Sequence, residues 1–93
     1  MIRVDGHTFW RGGEKVGFIE DNHIKNYDGD RVGYYIDEHI YNSRDHKVAY
    51  LLDDYICFTD SSKKIRIEDN NKDVYGGSLN NVQRAAVRVL LGE

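Results

Sequence analysis

Residues 32–42 have the sequence Val-Gly-Tyr-Tyr-Ile-Asp-Glu-His-Ile-Tyr-Asn, and this stretch decides the fold. Residues 32–36 are rich in β-branched and aromatic side chains, Asp37-Glu38 interrupts the run, and residues 39–42 resume it. Aspartate suits a turn because it tolerates left-handed backbone angles and can hydrogen-bond to its own backbone. The stretch therefore predicts a β-hairpin with a tight turn at Asp37-Glu38.

The hairpin pattern recurs every sixteen residues along the chain. Residues 16–21 (Val-Gly-Phe-Ile-Glu-Asp), 32–37 and 48–53 (Val-Ala-Tyr-Leu-Leu-Asp) superpose without a gap. A basic column accompanies them at Lys15, Arg31, Lys47 and Lys63. Terminal repeats are commonly degenerate, so the pattern can be extended to both ends of the chain. The aspartate column then predicts five structural turns, at Asp5, Asp21, Asp37, Asp53 and Asp69.

Five sequential hairpins over residues 1–77 would leave two exposed edges unless the sheet closes on itself. A solenoid is the competing architecture, but a two-residue turn within each unit favours antiparallel pairing. The chain contains no proline, as expected when strand N–H groups are used in ladders. The sequence therefore predicts a mainly β fold, a small closed antiparallel barrel with pseudo-rotational symmetry.

A single amphipathic helix is predicted to follow the hairpins. Gly76-Gly77 permits a change of direction, Ser78 is the predicted N-cap, and the helix would run over residues 78–91 and end at Gly92. We expect the helix to lie in or across the barrel, and we interpret Arg84 and Arg88 as solvated. The whole chain, 1–93, is interpreted as one domain. The predicted core face of the helix comprises Leu79, Val82, Ala86, Val89 and Leu90.

Composition restricts the classes of function. The net charge of −3 supplies no basic field, so nucleic-acid binding is disfavoured. No apolar run approaches the roughly 18 residues of a transmembrane segment, and the first residues do not resemble a secretory signal. Cys57 is the only cysteine and can form no internal disulfide. We therefore expect a cytoplasmic protein.

The pattern of residues 32–42, repeated around the chain and followed by a helix, resembles the bacterial β-flower domains, particularly the four-fold type. The resemblance implies a shallow symmetric barrel of hairpin petals around an apolar channel that holds a helix. In shape it is similar to the Tubby C-terminal and phospholipid scramblase barrels. The resemblance implies no catalytic residues. This chain departs from the pattern in its five aspartate turns and in Arg84 and Arg88, which interrupt the expected apolar helix.

A ring of equivalent histidines is the sharpest chemical hypothesis. His7, His23 and His39 fall in one column, and grouped imidazoles could hold a transition metal. Polar residues are also expected beside hairpin turns, so we favour a structural or solvated role for them. The chain has no nucleophile elbow and no phosphate-binding glycine loop, so we expect no enzyme and no cofactor.

The leading functional hypothesis is therefore a non-enzymatic binding or assembly module that forms a homo-oligomer or binds a protein partner. The first alternative is a carrier that holds a lipid or another apolar small ligand in the barrel channel, which is suggested by the resemblance. The second is an enzyme or metal site at the His and Asp rim.

Overall fold

A computed structural model describes residues 1–92, in which short strands follow one another and two helices lie near the end. Within these residues the fold is mainly β, with the C-terminal helix that the sequence predicts. The elements are β1 (Ile2–Asp5), β2 (Thr8–Arg11), β3 (Glu14–Glu20), β4 (His23–Asn26), β5 (Arg31–Ile36), β6 (His39–Asn42), β7 (Lys47–Leu52), β8 (Tyr55–Phe58), β9 (Lys64–Arg66), α1 (Ile67–Asp73), β10 (Val74–Tyr75) and α2 (Asn81–Leu91).

The strands form one sheet in the order β10-β1-β2-β3-β4-β5-β6-β7-β8-β9. All pairs of sequence neighbours from β1 to β9 are antiparallel, whereas β10 pairs with β1 in parallel. Over residues 1–92, hydrogen bonds do not close this sheet, because β9 and β10 remain its edges. Helix α1 alone separates these two edge strands along the chain.

Four two-residue turns join the strands in pairs, at Gly6-His7, Asp21-Asn22, Asp37-Glu38 and Asp53-Asp54. Asp21, Asp37 and Asp53 have left-handed φ angles of 55°, 53° and 56°. Asp5 differs from the predicted turn role, because it ends β1 and pairs with Thr8. The equivalent left-handed position is taken by Gly6, with φ 62°.

The fifth predicted turn is wrong, because Asp69 lies in α1. Beyond β9 the sheet has no further antiparallel strand with which a fifth hairpin could pair. Glu68 and Asp69 occupy the first turn of α1 and Lys72 its last turn, an order of charges that suits the helix dipole. The chain then enters β10 beside β1.

Helix α2 begins at Asn81, three residues later than predicted, because Asn80 and not Ser78 is its N-cap. The Asn80 side chain accepts a hydrogen bond from the Gln83 N–H, and the Gln83 side chain accepts one from the Asn80 N–H. This reciprocal pair satisfies two of the free N–H groups at the helix start. The predicted residue Leu79 therefore precedes the helix, although it packs against the core.

The sheet curves around α2. This helix contacts β4, β5, β6 and β7, and it also contacts β10, which lies five places from β5 in the sheet. A straight helix can touch strands so far apart only if the sheet bends around it. The concave face of the sheet and the helix together form the core, whose buried residues are Ile2, Val4, Phe9, Ile19, Ile24, Ile40, Ala49, Leu51, Ile56, Val74, Val82, Ala85, Ala86 and Val87.

The predicted helix face is only part of the buried helix surface. Val82 and Ala86 are buried, and Val89 and Leu90 are half-buried against the core. Val87 is fully buried although it lies away from that face. The helix is buried around most of its circumference because the sheet and α1 both pack on it.

Candidate interaction surfaces

The structure does not group the three candidate histidines. His23 and His39 pair with Tyr34 and Tyr50 across neighbouring strands, whereas His7 is exposed in the first turn. The first hairpin is one residue out of register with the sixteen-residue column, so its equivalent of His23 is Thr8. In the described part of the chain, no three His, Cys, Asp or Glu side chains are arranged to hold a metal ion.

The convex face of the sheet carries a belt of half-buried aromatic residues paired with cations. Alternation along each strand places these side chains opposite the core residues. A Lys or Arg lies 4.3–5.9 Å from the ring centre of five of the aromatic residues. We call this belt the girdle; it comprises Trp10, Phe18, Tyr34, Tyr41, Tyr50 and Tyr55 with Arg3, Lys15, Lys25, Arg31, Lys47 and Lys64.

Tyr34 is the most connected residue of the girdle. Its ring stacks on Tyr41 at 5.1 Å, and the Arg31 guanidinium lies 4.9 Å from its centre. The Tyr34 hydroxyl donates a 2.9 Å hydrogen bond to the Asp45 carboxylate. That bond raises the pKa of Tyr34, because it favours the protonated phenol. These contacts fix the orientation of the ring on the outer surface.

Charge separates along the strand direction. We define the turn end as the four two-residue turns and the two strand residues on either side of each, and the loop end as residues 12–13, 27–30, 43–46 and 59–63 with the same flanks. The turn end carries seven Asp and Glu residues and no Lys or Arg. The loop end carries eight Lys and Arg residues against five Asp and Glu residues. Successive antiparallel strands are joined by a turn at one end of the sheet and by a loop at the other. The aspartate column therefore lies at the turn end and the basic column at the loop end.

Helix α2 is aligned with this charge separation. Asn80 and Asn81, at its start, line a cleft with Asp37, Glu38 and Asp53 of the turn end. At the other end of the helix, the Arg11 guanidinium donates a 3.0 Å hydrogen bond to the Gly92 carbonyl. Carboxylates near a helix N-terminus and cations near its C-terminus each stabilise the helix by about 0.3–1 kcal/mol. The carboxylates of the turn end therefore lie on the side of α2 where the helix dipole favours negative charge.

Apolar surface is exposed at both ends. At the loop end, Val16 and Leu91 lie in an open cleft of about 700 Å³, beside Tyr27, which is 67% exposed. The connection between β2 and β3 has two residues, whereas the connections between β4 and β5 and between β6 and β7 have four each. The shorter connection leaves the C-terminal end of α2 open on this side. At the turn end, Ile36 and Leu52 are 50% and 56% exposed.

Arg84 and Arg88 are not free in solvent, which corrects the sequence interpretation. Arg84 donates hydrogen bonds to the carbonyls of Val74 and Leu79, each at 3.0 Å. Arg88 forms a 2.6 Å ion pair with Asp73. The two side chains hold the segment between α1 and α2 against the helix, so their place is structural.

Asn26 and Asn42, the last residues of β4 and β6, order the loops that follow them, a role that the sequence interpretation missed. The Asn26 side-chain oxygen accepts hydrogen bonds from the N–H groups of Asp28 and Asp30. Asn42 repeats the arrangement sixteen residues later with Arg44 and His46. Their sixteen-residue spacing was the available signal. These bonds order the loops that carry the loop-end charges.

None of the helices in residues 1–92 combines the length and apolar character needed to cross a membrane. Comparison of the chain with protein-family models, with curated proteins and with solved structures found no match in any of the three.

Proposed function

We propose that the protein is a non-enzymatic binding module whose girdle engages an acidic protein partner. The observation that carries the proposal is the pairing of cations with aromatic rings along the convex face. Aromatic residues and arginine are enriched in protein interfaces, where rings supply apolar contact area. The cations beside them favour carboxylates and accelerate their encounter with the surface.

We also propose that the chain is a hairpin-repeat barrel of the four-fold β-flower type. Recurring main-chain bonds support this proposal: the N–H groups of Ile19, Tyr35, Leu51 and Ile67 bind the carbonyl of the second turn residue of the preceding hairpin. Helix α1 would span the gap between β9 and β10. A cytoplasmic location stays part of the proposal and rests on the single cysteine.

The carrier alternative ranks below the binding module because α2 occupies the concave face. A methyl group added at Gly33 would meet the Leu90 side chain at 2.6 Å and the Tyr41 carbonyl. Ala85 and Ala86 have no exposed surface. An apolar ligand on this face would have to displace the helix, whereas a partner on the girdle would not.

The test uses Trp10, the only tryptophan, as a fluorescent reporter within the girdle. Titration with a short glutamate-rich peptide should change its emission and saturate, and the affinity should fall as salt is added. The double variant Arg31→Gln/Lys47→Gln should bind about tenfold more weakly, a loss of about 1.4 kcal/mol. Lys72→Gln, at an exposed position of α1 outside the girdle, is the control and should bind like the parent chain.

Equal affinity in the double variant and the parent chain would remove the girdle from the binding surface. A lysine-rich peptide should not bind. Tighter binding of a single-stranded oligonucleotide than of the glutamate-rich peptide would reassign the girdle to nucleic acid.

A further inference from the structure

We propose that the acidic partner of this module is a second copy of the same chain, and that copies associate head to tail, turn end on loop end. The inference rests on the proposed function and names its partner, which would reach the girdle from the loop end, where the girdle cations Lys15, Arg31 and Lys47 lie. It is carried by three complementarities between the two ends of the molecule: their charge, their exposed apolar residues and their size.

The charges of the two ends are opposite. Two of the seven turn-end carboxylates, Asp5 and Glu20, pair with Arg3 and Lys25. The other five have no ion pair within residues 1–92, and they would meet a loop end in which Lys and Arg exceed Asp and Glu by three. Lys47 of the girdle and Lys63 are exposed at the loop end, and Glu38 and Asp54 are exposed at the turn end. Two turn ends or two loop ends facing each other would bring like charges together, which disfavours a symmetric end-to-end dimer.

The exposed apolar residues of the two ends are also complementary. Ile36 and Leu52, the last residues of β5 and β7, are at least half exposed at the turn end, on the convex side of the sheet that also carries Tyr34 and Tyr50. The loop end offers the open cleft with Val16 and Leu91, and Tyr27 stands beside it. Burying aliphatic side chains in such a cleft supplies the apolar centre that stable interfaces need inside a charged rim.

The end faces have the size of a stable interface. The Cα extents of the molecule are 32 × 28 × 19 Å. The shortest extent is close to the length of a six-residue strand, about 20 Å at 3.3 Å per residue. Taking the strands to run along this shortest extent, each end face measures 32 by 28 Å, about 700 Å² as an ellipse, near the roughly 800 Å² per partner of a standard interface.

Head-to-tail contact is heterologous, so it leaves a free turn end and a free loop end on every assembly. This property permits a test with two chain-terminating variants. Glu38→Gln/Asp54→Asn weakens the turn end and keeps the loop end, and it adds no cation that could pair with the new carboxylates of the second variant. Lys47→Glu/Lys63→Glu reverses the loop-end charge and keeps the turn end. Neither pair changes a residue with a left-handed backbone, so both variants should fold.

Sedimentation velocity at low salt should show concentration-dependent association of the parent chain that is reversed by added salt. Each variant alone should sediment as a monomer, and an equimolar mixture should form heterodimers and nothing larger. Tyr27→Ser, at an exposed position, should weaken association of the parent chain without changing its thermal unfolding.

A parent chain that stays monomeric at high micromolar concentration would overturn the inference, as would a mixture that stays monomeric. Persistent association of either charge variant alone would point to a side-by-side contact instead. The glutamate-rich peptide distinguishes failure of this inference from failure of the proposed function. If the peptide binds the girdle while copies do not associate, only the second copy is excluded; if the peptide also fails to bind, the proposed function fails too.

Discussion

The two faces of the sheet use the same strands in different ways. On the concave face, aliphatic side chains such as Ile24, Ile40 and Ile56 have at most 1% of their surface exposed and pack against α2. On the convex face, the girdle rings are only half-buried, and five of the six have a Lys or Arg beside the ring. The comparison indicates that close packing on one face fixes the fold and leaves the other free to bind. Substitutions on the concave face should therefore alter stability most.

The largest effect is expected at Val87, which is completely buried. Val87→Asp places a carboxylate in the core and should destabilise the fold by about 4 kcal/mol or more. The total stability of a small domain is about 5–15 kcal/mol, so the variant should be close to unfolding. Val87→Ala, the matched control, removes packing without adding charge and should cost about 2 kcal/mol. Urea unfolding measures both; a parental midpoint for Val87→Asp would contradict burial of the helix on this side.

A smaller effect separates the two helix arginines. Arg84→Gln removes charge-assisted hydrogen bonds to main-chain carbonyls and should cost about 2–3 kcal/mol. Arg88→Gln removes one partly exposed ion pair and should cost less than about 1 kcal/mol. Thermal unfolding of both variants decides the order. Equal losses would show that the main-chain bonds of Arg84 add nothing beyond a surface ion pair.

The next effect concerns the small residues that face the helix. An added methyl group at Gly33 would collide with the Tyr41 carbonyl, beside the register shift at Ile40 and Tyr41, so Gly33→Ala should cost about 1–3 kcal/mol. Ala49 has the position in β7 that Gly33 has in β5. It faces β8, and β8 pairs with β9 without the register shift that β6 shows against β7. Ala49→Gly should therefore be destabilising by about 1 kcal/mol, because a methyl group is accommodated there. Denaturant midpoints measure both changes; a stabilising Gly33→Ala would refute the close approach.

The sequence predicted the middle hairpins well because three consecutive units match without a gap. Ile24, Ile40 and Ile56 share one column and are all buried. The first unit was aligned wrongly, by one residue. Asp5 matches the aspartate column, but Phe9, the core residue that corresponds to Ile24, lies fifteen and not sixteen residues before it. Asp69 matched the same column and nevertheless lies in a helix. A match to the aspartate column cannot show whether another strand follows the turn. That depends on where the sheet ends, and here β9 is its edge strand.

The charged residues of the candidate surfaces are visible in the sequence, but their placement at opposite ends requires the topology of the sheet. The basic column and the aspartate column are both visible in the sixteen-residue pattern, and the antiparallel topology then assigns them to opposite ends. The contacts of Arg84 could not be predicted, because they depend on how residues 74–79 return beside α2. The stacking of Tyr34 on Tyr41 likewise requires the register of β5 and β6.

The smallest effect is expected on the convex face, at the ion pair of Glu20 with Lys25. The hydrogen bond from Lys25 lowers the pKa of the Glu20 carboxyl below its usual 4.5. The contribution of the pair to stability is therefore present above pH 4.5 and is lost as the pH falls through the lower pKa of the folded state. Glu20→Gln should be slightly less stable than the parent chain at neutral pH, and the difference should close in acid. Urea midpoints at neutral and acidic pH measure it, with Glu14→Gln on the same strand as control, since Glu14 is exposed and has no ion pair within residues 1–92. A difference that is the same at both pH values would mean that the carboxylate charge of Glu20 does not contribute to stability.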